Sequence, residues 1–258
     1  MCWKIKVKKI MQIFAICASG ALLPLAPGCN NAKVDGQKAQ KEHKQILSDS
    51  ITAIETEIDS CKNNIATLND RINQYLPDFV TVANPREVGS YVIYNKMKPL
   101  YPLKSTGLAA RISDTGTFEL IAALKSGEFD QISIVTGDKS VTSDVVPHDQ
   151  ALNYRDGNLT TVAFSGEKAD EIGEFISDNM LNNLRVSYLQ QGRLIVSWRM
   201  PMQFNEMIGA TYLLYYSQAE VERISRHEEL LHQKINILRS HRDSRPVTPA
   251  STDSAAAK

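Results

Sequence analysis

Apolar residues recur in steps of three and four along the segment between Leu47 and Tyr75. The positions that keep this spacing are Leu47, Ile51, Ile54, Ile58, Cys61, Ile65, Leu68, Ile72 and Tyr75. This spacing is a heptad repeat and predicts an amphipathic helix over residues 45–76, which ends close to Pro77. The apolar stripe is narrow, so the helix is expected to pack against one or two other helices and not against a broad sheet.

A second heptad pattern covers residues 203–240. Its positions are Met207, Ala210, Leu214, Ser217, Val221, Ile224, Glu228, Leu231, Ile235 and Leu238. Ser217 and Glu228 interrupt the apolar seam, which is therefore weaker than the first one. The two predicted helices have similar lengths and flank the rest of the folded chain.

Two helices of this kind can pair in two ways. They can fold back on each other as an antiparallel coiled-coil stalk within one chain, or each can join a parallel coiled coil between chains, because Ile at a and Leu at d favour parallel dimers. A four-helix bundle would combine both arrangements. Cys61 distinguishes the models, since it faces its own copy in a parallel dimer and the region of Ile224 in an antiparallel pair. We expect the antiparallel stalk.

Residues 77–202 alternate short β-prone runs with turn residues. The predicted strands are Tyr91–Tyr94, Leu108–Ile112, Phe118–Leu124, Ile132–Thr136, Val141–Val146, Leu159–Phe164, Leu184–Leu189 and Leu194–Trp198. The turns between them include "SDTGT", "RDGN" and the hairpin signal Gln191-Gly192. One amphipathic helix is predicted at Glu167–Leu181, with Ser165 as its N-cap. The pattern predicts an α+β head with a mostly antiparallel sheet of six to eight strands and one packed helix.

The first 28 residues have the composition of an export signal. Four lysines between Lys4 and Lys9 precede an almost uncharged run, Ile10–Leu25, which is short for a membrane span. The following segment, Ala26–Cys29, resembles the lipobox of bacterial lipoproteins. That resemblance implies cleavage before Cys29, lipid attachment to Cys29 and a location in the bacterial cell envelope, facing the periplasm. An ordinary signal peptide and an uncleaved anchor are the alternatives.

The polar segment that follows, residues 29–44, is predicted to be a flexible tether, and residues 241–258 a disordered tail. Cys61 is the one cysteine left after Cys29 in the chain, so no disulfide within the mature protein is expected. Lys and Arg together number 29, as do Asp and Glu, and this balance argues against nucleic acid as a partner.

Three short motifs resemble parts of catalytic or metal sites. Asp114–Gly116 matches the catalytic triplet of aspartic proteases, but it lies between two β-prone runs and fits a hairpin turn. Ser165 and Lys168 match the Ser-x-x-Lys pattern of penicillin-binding enzymes, but here both belong to one short helix. His227 and His232 are five residues apart, whereas a zinc helix needs a separation of four. No metal or cofactor is predicted.

Two loops of the head carry the side chains that suit recognition. The first is Val146–Gly157, and the second is Tyr94–Lys104. Their candidate ligand or partner residues are His148, Asp149, Asn153, Tyr154, Arg155, Tyr94 and Tyr101. Polar and aromatic loops held by a rigid sheet often bind ligands, although the same residues can satisfy their own backbone.

These observations lead to one functional expectation and two alternatives. We expect an exported, lipid-anchored protein that acts as a non-catalytic interaction or scaffold module on a coiled-coil stalk. It would contact the membrane through its lipid, and a protein partner or a second copy through the coiled coil. The first alternative is an envelope protein that binds a small molecule or a glycan. The second alternative is a hydrolase that uses Asp114 or Ser165.

Overall fold

A computed structural model of the chain describes residues 34–87, 89–149 and 151–244. The chain divides into two compact units, residues 1–48 and 49–258. In the first unit the described residues form the beginning of a long helix. The predicted signal segment and the proposed lipid site, Cys29, lie outside the described residues and stay predictions.

Three α-helices are described: α1 (Val34–Tyr75), α2 (Glu167–Asp178) and α3 (Met202–Asp243). α1 begins at Val34 instead of residue 45, so the expectation of a flexible tether is wrong for residues 34–44. Lys, Gln, Ala and Glu dominate that stretch, and these residues favour helix even without an apolar stripe. α3 likewise continues to Asp243, three residues into the predicted disordered tail. The rest of that tail, apart from Ser244, lies outside the described residues.

Ten β-strands are described. They are β1 (Phe79–Ala83), β2 (Ser90–Tyr94), β3 (Gly107–Ser113), β4 (Phe118–Lys125), β5 (Gln131–Thr136), β6 (Lys139–Thr142), β7 (Asn153–Asp156), β8 (Leu159–Ser165), β9 (Arg185–Gln190) and β10 (Arg193–Arg199). One antiparallel sheet has the strand order β1-β2-β3-β4-β8-β7 and the other the order β10-β9-β5-β6. The predicted α+β class with antiparallel pairing is confirmed. The expectation of a single sheet with six to eight strands is wrong, because β1 and β7 were not predicted and the strands divide between two sheets.

The predicted turns form hairpins. In "SDTGT" the Ser113 N–H donates to the Thr117 carbonyl over 2.9 Å, which closes the turn between β3 and β4. Between β9 and β10, Gln191 and Gly192 have φ values of 50° and 75°, as a type I′ turn requires. The buried carboxylate of Asp130 accepts a hydrogen bond from the Gln191 N–H, which helps to hold this turn.

α2 differs from the prediction at both of its ends. The helix ends at Asp178, before the predicted Leu181. Its N-cap is Gly166, whose φ of 82° suits glycine, whereas the predicted cap, Ser165, is the last residue of β8. The sheet therefore extends one residue further than its β-prone run, and the chain reverses at the glycine.

The main apolar core lies between the two sheets and the helices. Its largest fully buried side chains include Phe118, Leu120, Ile132, Ile134 and Tyr188. The Tyr188 hydroxyl donates to the Gly107 carbonyl over 3.0 Å, so this buried polar group is satisfied. α2 contributes Ala169, Ile172 and Ile176 to the core, and α3 contributes Ile208 and Tyr212.

A separate apolar cluster contains residues of α1 and α3. Its buried members are Ile51, Ile54, Ile58, Cys61, Ile224, Leu231 and Ile235, and Ile65, Leu68 and Leu238 pack against it. A neighbouring cluster joins Ile72 and Leu214 to Ile112 of β3, with Val221 partly buried beside them. Polar contacts link the helices outside the clusters, where Glu57 bonds His227 over 3.0 Å and Glu55 accepts from Arg239 over 2.8 Å.

Gly173 on α2 gives a test of this packing. A Cβ at Gly173 would lie 2.4 Å from Tyr212 Cδ2 and 2.8 Å from Phe118 Cε1. We predict that Gly173→Ala lowers the free energy of unfolding by about 1–3 kcal/mol, because overpacking outweighs the usual helix gain of about 0.5–1 kcal/mol. Urea denaturation followed by circular dichroism measures the change. Gly209→Ala on α3 is the comparison. Its Cβ would lie 2.6 Å from Sδ of the flexible Met180 side chain and 3.2 Å from the Ser177 backbone, so a smaller loss is expected there. Unchanged stability of Gly173→Ala would contradict this packing.

Candidate functional site: the Arg111 cleft

The first predicted loop, Val146–Gly157, contains β7 at the edge of the six-stranded sheet. Asn153 is buried on the core side, where its Nδ2 donates to the carbonyls of Phe129 and Val146 over 3.2 and 2.7 Å. Asp149 Oδ1 accepts from the N–H groups of Ala151, Leu152 and Asn153. The bonds from Leu152 and Asn153 are the main reason why the pKa of Asp149 is lowered. Asn153 and Asp149 therefore hold the loop in place.

Tyr154 points away from the core. Successive strand residues face opposite sides of a sheet, so Tyr154 lies on the face opposite Asn153. The guanidinium of Arg86 lies 5.5 Å from the Tyr154 ring centroid and also pairs with Asp156 over 2.5 Å. Arg155 pairs with Glu128 over 3.0 Å. Tyr154 thus presents its ring on the outer face of the sheet, whereas Arg155, the next residue of β7, starts on the face of Asn153.

The second predicted loop, Tyr94–Lys104, begins with the 3-10 helix Asn95–Leu100. Tyr94 is buried, and its ring packs edge-on against Phe79 with centroids 5.4 Å apart. Its role is therefore packing. Tyr101 extends to the sheet, where its hydroxyl accepts a hydrogen bond from Arg111 Nη1 over 2.7 Å.

Arg111 is a functional candidate that the sequence analysis did not identify. It lies in β3 on the face opposite Leu108 and Ala110, and only 4% of its side chain is exposed. Its Nη2 lies 2.6 Å from Glu87, and its Nε donates to Glu119 over 2.6 Å. Each nitrogen of the guanidinium thus has a partner, as a buried cation requires.

An aromatic ring completes the surroundings of Arg111. Its guanidinium carbon lies 3.6 Å from the Tyr91 ring centroid, a close cation–π contact. Burial lowers the pKa of Arg111, but the hydrogen bond to Glu87 and the nearby charges outweigh it and leave the pKa raised. Burial and the hydrogen bond to Glu87 raise the pKa of Tyr91. Arg111 stays charged and Tyr91 stays neutral in the physiological range.

These groups line one open cleft of about 750 Å³, which we name the Arg111 cleft. Its lining residues are Arg86, Glu87, Tyr91, Arg111, Glu119, Ala151, Leu152, Tyr154 and Arg155. The first predicted loop reaches this cleft, because Tyr154 and Arg155 line it. The second loop contributes no lining residue, but its Tyr101 supports the floor through the hydrogen bond with Arg111. Of the predicted surface residues, Tyr154 and Arg155 belong to this site. His148, Asn153 and Tyr94 do not line it, and Asp149 acts within its own loop.

A smaller cavity of about 270 Å³ lies next to β7, with His148, Asn153 and Arg155 in its wall beside Asp130 and Gln190. We name it the Asp130 pocket. Among the residues that the structure describes, Gln190 Oε1 is buried and lacks a hydrogen-bond partner. Arg155 borders both this pocket and the Arg111 cleft.

The Arg111 cleft offers hydrogen bonds and aromatic surface rather than an uncompensated charge. Each of its arginines is paired: Arg86 with Asp156, Arg111 with Glu87 and Glu119, and Arg155 with Glu128. Such a surface suits polar, uncharged or mixed-charge groups and the flat faces of sugars or peptide bonds.

The short motifs lie elsewhere. Asp114 is in the exposed turn between β3 and β4, and Ser165 is exposed at the end of β8. Lys168 donates to both carboxylate oxygens of Glu171, over 2.8 and 2.7 Å. His227 contacts Glu57, and His232 lies 3.5 Å from Glu228 on its own helix. In the described ranges no group of three or more His, Cys, Asp and Glu side chains could hold a metal ion.

Comparison with protein-family models, with curated proteins and with solved structures gives no match for this chain. None of the helices in the described part of the chain combines the length and apolar character needed to cross a membrane.

Arg111 and Arg86 allow a matched test of the cleft. We predict that Arg111→Met lowers the free energy of unfolding by about 3–5 kcal/mol, because Glu87 and Glu119 lose the cation that compensates them. Arg86→Met is the control. Its side chain is 53% exposed, and the loss of a surface ion pair changes stability by less than about 1 kcal/mol. Denaturant unfolding measures both variants, and equal effects would show that Arg111 does not support the site.

Proposed function

We propose that this protein is a membrane-anchored, non-catalytic interaction module whose recognition surface is the Arg111 cleft. The observation that carries the proposal is the cleft itself, whose wall includes Tyr154 and Arg155 of the first loop and whose floor, Arg111, is held by Tyr101 of the second. Its floor is built from a buried, fully paired arginine, so the tyrosines and loop side chains around it are held in place before any partner arrives. Preorganisation of this kind reduces the entropy lost on binding.

A coiled-coil stalk would present this surface to a partner. α1 and α3 each contain 42 residues, or about 63 Å of helix. Ile72 of α1 shares a cluster with Leu214 of α3, whereas Glu55 contacts Arg239, and this order supports an antiparallel pair. The cluster that includes Cys61 also includes Ile224, as the intrachain model expects.

The membrane anchor rests on the sequence. The segment Ala26–Cys29 resembles a lipobox, and acylation of Cys29 would hold the protein at the bacterial cell envelope, with the head on the periplasmic side. Two or three acyl chains give stable anchoring, because each buried methylene contributes about 0.8 kcal/mol. α1 would then connect this anchor to the rest of the protein.

The alternative of a small-molecule or glycan binder has one observation in its favour. The Arg111 cleft is as large as many ligand sites and combines the Tyr91 and Tyr154 rings with paired charges. The hydrolase alternative has less support, because Asp114 lies in an exposed turn and Lys168 is bound to Glu171 instead of Ser165. Loss of a measured activity in Asp114→Asn or Ser165→Ala would favour it.

Two adjacent leucines of α3 test the proposed stalk. Leu231 is 6% exposed within the cluster with Cys61, whereas Leu230 is 61% exposed. We predict that Leu231→Asp lowers the free energy of unfolding by about 3 kcal/mol, because it buries an unpaired charge. Burial and the charges of Glu57 and Glu228 raise the pKa of Cys61, so its alkylation is slow in the native protein.

Leu231→Asp should therefore also accelerate alkylation of Cys61, measured by mass spectrometry at neutral pH. Leu230→Asp should leave both stability and alkylation unchanged. A disulfide between two copies of Cys61 under oxidising conditions would support the parallel dimer instead.

A photo-crosslinking residue at Leu152 tests the recognition surface. Leu152 lines the Arg111 cleft and is 48% exposed, and Leu181, at 72% exposed, is the control outside the cleft. We predict that, in bacterial cells producing the full chain, position 152 captures one discrete partner and position 181 does not. Tyr154→Ala should reduce this adduct, because it removes an aromatic wall of the cleft.

The same cells allow a test of the anchor. Replacement of Cys29 by Ala should move the protein from the membrane fraction to the soluble fraction. No adduct at position 152, combined with a thermal shift from soluble oligosaccharides that Tyr154→Ala removes, would favour the glycan binder over the interaction module.

A further inference from the structure

The edge strand β10 exposes an unusual amount of apolar surface. It pairs with β9 and forms the end of the four-stranded sheet. Three consecutive residues are open to solvent: Leu194 at 61%, Ile195 at 48% and Val196 at 39%. An open edge with apolar side chains is a site where another strand can pair.

The directions of these side chains favour an added strand over a flat surface as the partner of β10. Leu194 lies opposite Leu189, and Val196 lies opposite Tyr188, with a register shift between them. Leu189 and Tyr188 are neighbours in β9 and face opposite sides of the sheet, so Leu194 and Val196 do so too. A flat lipid surface could cover the apolar side chains on only one face of such a strand. A strand added beside β10 would cover side chains on both faces of the sheet.

The charged residues next to β10 indicate which charge a partner would carry. Residues 77–202 contain six arginines, and the three at the Arg111 cleft have carboxylate partners. The other three are Arg185, Arg193 and Arg199, and within the described ranges none has a carboxylate within 4.0 Å. Arg185 donates to Ser197 and Arg199 to Asn183, so both are held beside the strand. Arg193 and Arg199 stand at the two ends of β10, on either side of the apolar triplet.

These charges disfavour two other occupants. A second copy paired antiparallel through its own β10 would place Arg193 close to Arg199 at both ends, and like charges on paired strands are destabilising. The C-terminal segment 245–258 contains Arg245, Lys258 and two prolines, and it lacks a run of β-branched residues. The one acidic residue of this segment, Asp253, is outweighed by Arg245 and Lys258, and a second copy brings the same arginines. Neither occupant therefore supplies acidic groups for both ends of the strand.

We propose that β10 binds an extended segment of a partner protein as an added strand, and that this segment has an apolar centre flanked by Asp or Glu. Main-chain hydrogen bonds would provide affinity, the apolar triplet would cover the centre of the segment, and Arg193 and Arg199 would bind its acidic ends. This inference does not depend on the Arg111 cleft or on the lipid anchor, because it concerns a separate surface.

The test uses a panel of fluorescein-labelled ten-residue peptides with alternating Val, Ile and Thr in the centre and two acidic residues at each end. Binding to the purified full-length protein is measured by fluorescence polarisation at low and physiological salt. We expect binding that weakens with salt. We also expect a loss when lysines replace the acidic ends, and a loss when proline replaces the central residue, because proline cannot join the strand ladder.

Variants assign this binding to β10. The double variant Arg193→Glu with Arg199→Glu should weaken peptide binding by about tenfold, because two ion pairs are lost and the new carboxylates repel the acidic ends. Arg226→Glu with Arg242→Glu makes the same charge change on α3 and should have no effect. Val196→Lys should also weaken binding, and far-UV circular dichroism checks that each variant is folded. Hydrogen exchange should show new protection of β10 amides when the peptide is present.

Three results would overturn the proposal. The first is the absence of binding by any peptide of the panel. The second is binding that Arg193→Glu with Arg199→Glu leaves unchanged, since the peptide would then occupy another surface. The third is sedimentation with vesicles of anionic lipid, or dimer formation in light scattering, that Val196→Lys removes while the peptides fail to bind. Those outcomes would assign the edge to a membrane or to a second copy.

Discussion

The guanidinium of Arg111 joins four segments of the head that are separate in the sequence. Its partners come from four separate places: Glu87 follows β1, Tyr91 lies in β2, Tyr101 in the following loop and Glu119 in β4. Removing a cation from water is unfavourable unless every donor finds an acceptor. The fold meets this condition by fixing the positions of all four segments, and those positions also define the cleft.

Much of the helical and turn structure follows from local sequence. The heptads at Ile51–Ile72 and Leu214–Leu238 fall within long helices, because an amphipathic stripe of that length has no other regular structure that buries it. The dipeptide Gln191-Gly192 and the segment Asp114–Gly116 form turns, because their residues satisfy the backbone conformation that reversal requires.

The remaining features depend on contacts between distant parts of the chain. β7 has the sequence Asn-Tyr-Arg-Asp, which carries no β pattern, and it is a strand because β8 supplies its partner and Asn153 anchors it through Phe129 and Val146. The division of the strands into two sheets also depends on which distant strands pair with each other, and local sequence does not determine that pairing. One feature of the local sequence points to the Arg111 cleft, namely an arginine within the otherwise apolar run Gly107–Ile112. A buried charge in such a run requires partners, but the sequence does not identify Glu87 or Glu119 as those partners.

α3 is one unbroken helix whose two halves pack against different parts of the protein. Its first half packs on the sheets through Ile208 and Tyr212, and its second half shares the cluster of Ile224 and Leu231 with α1. Near its start, the fully buried Asn205 donates to the carbonyls of Met180 and Asn182, which ties the helix to the end of α2. Proline is absent from the helix, and the polar Ser217 at its centre is buried with its hydroxyl bonded to the Leu213 carbonyl. Because the helix runs unbroken from Met202 to Asp243 and contains no proline, a pull or twist applied at the Asp243 end would be carried along it to the head as a mechanical load.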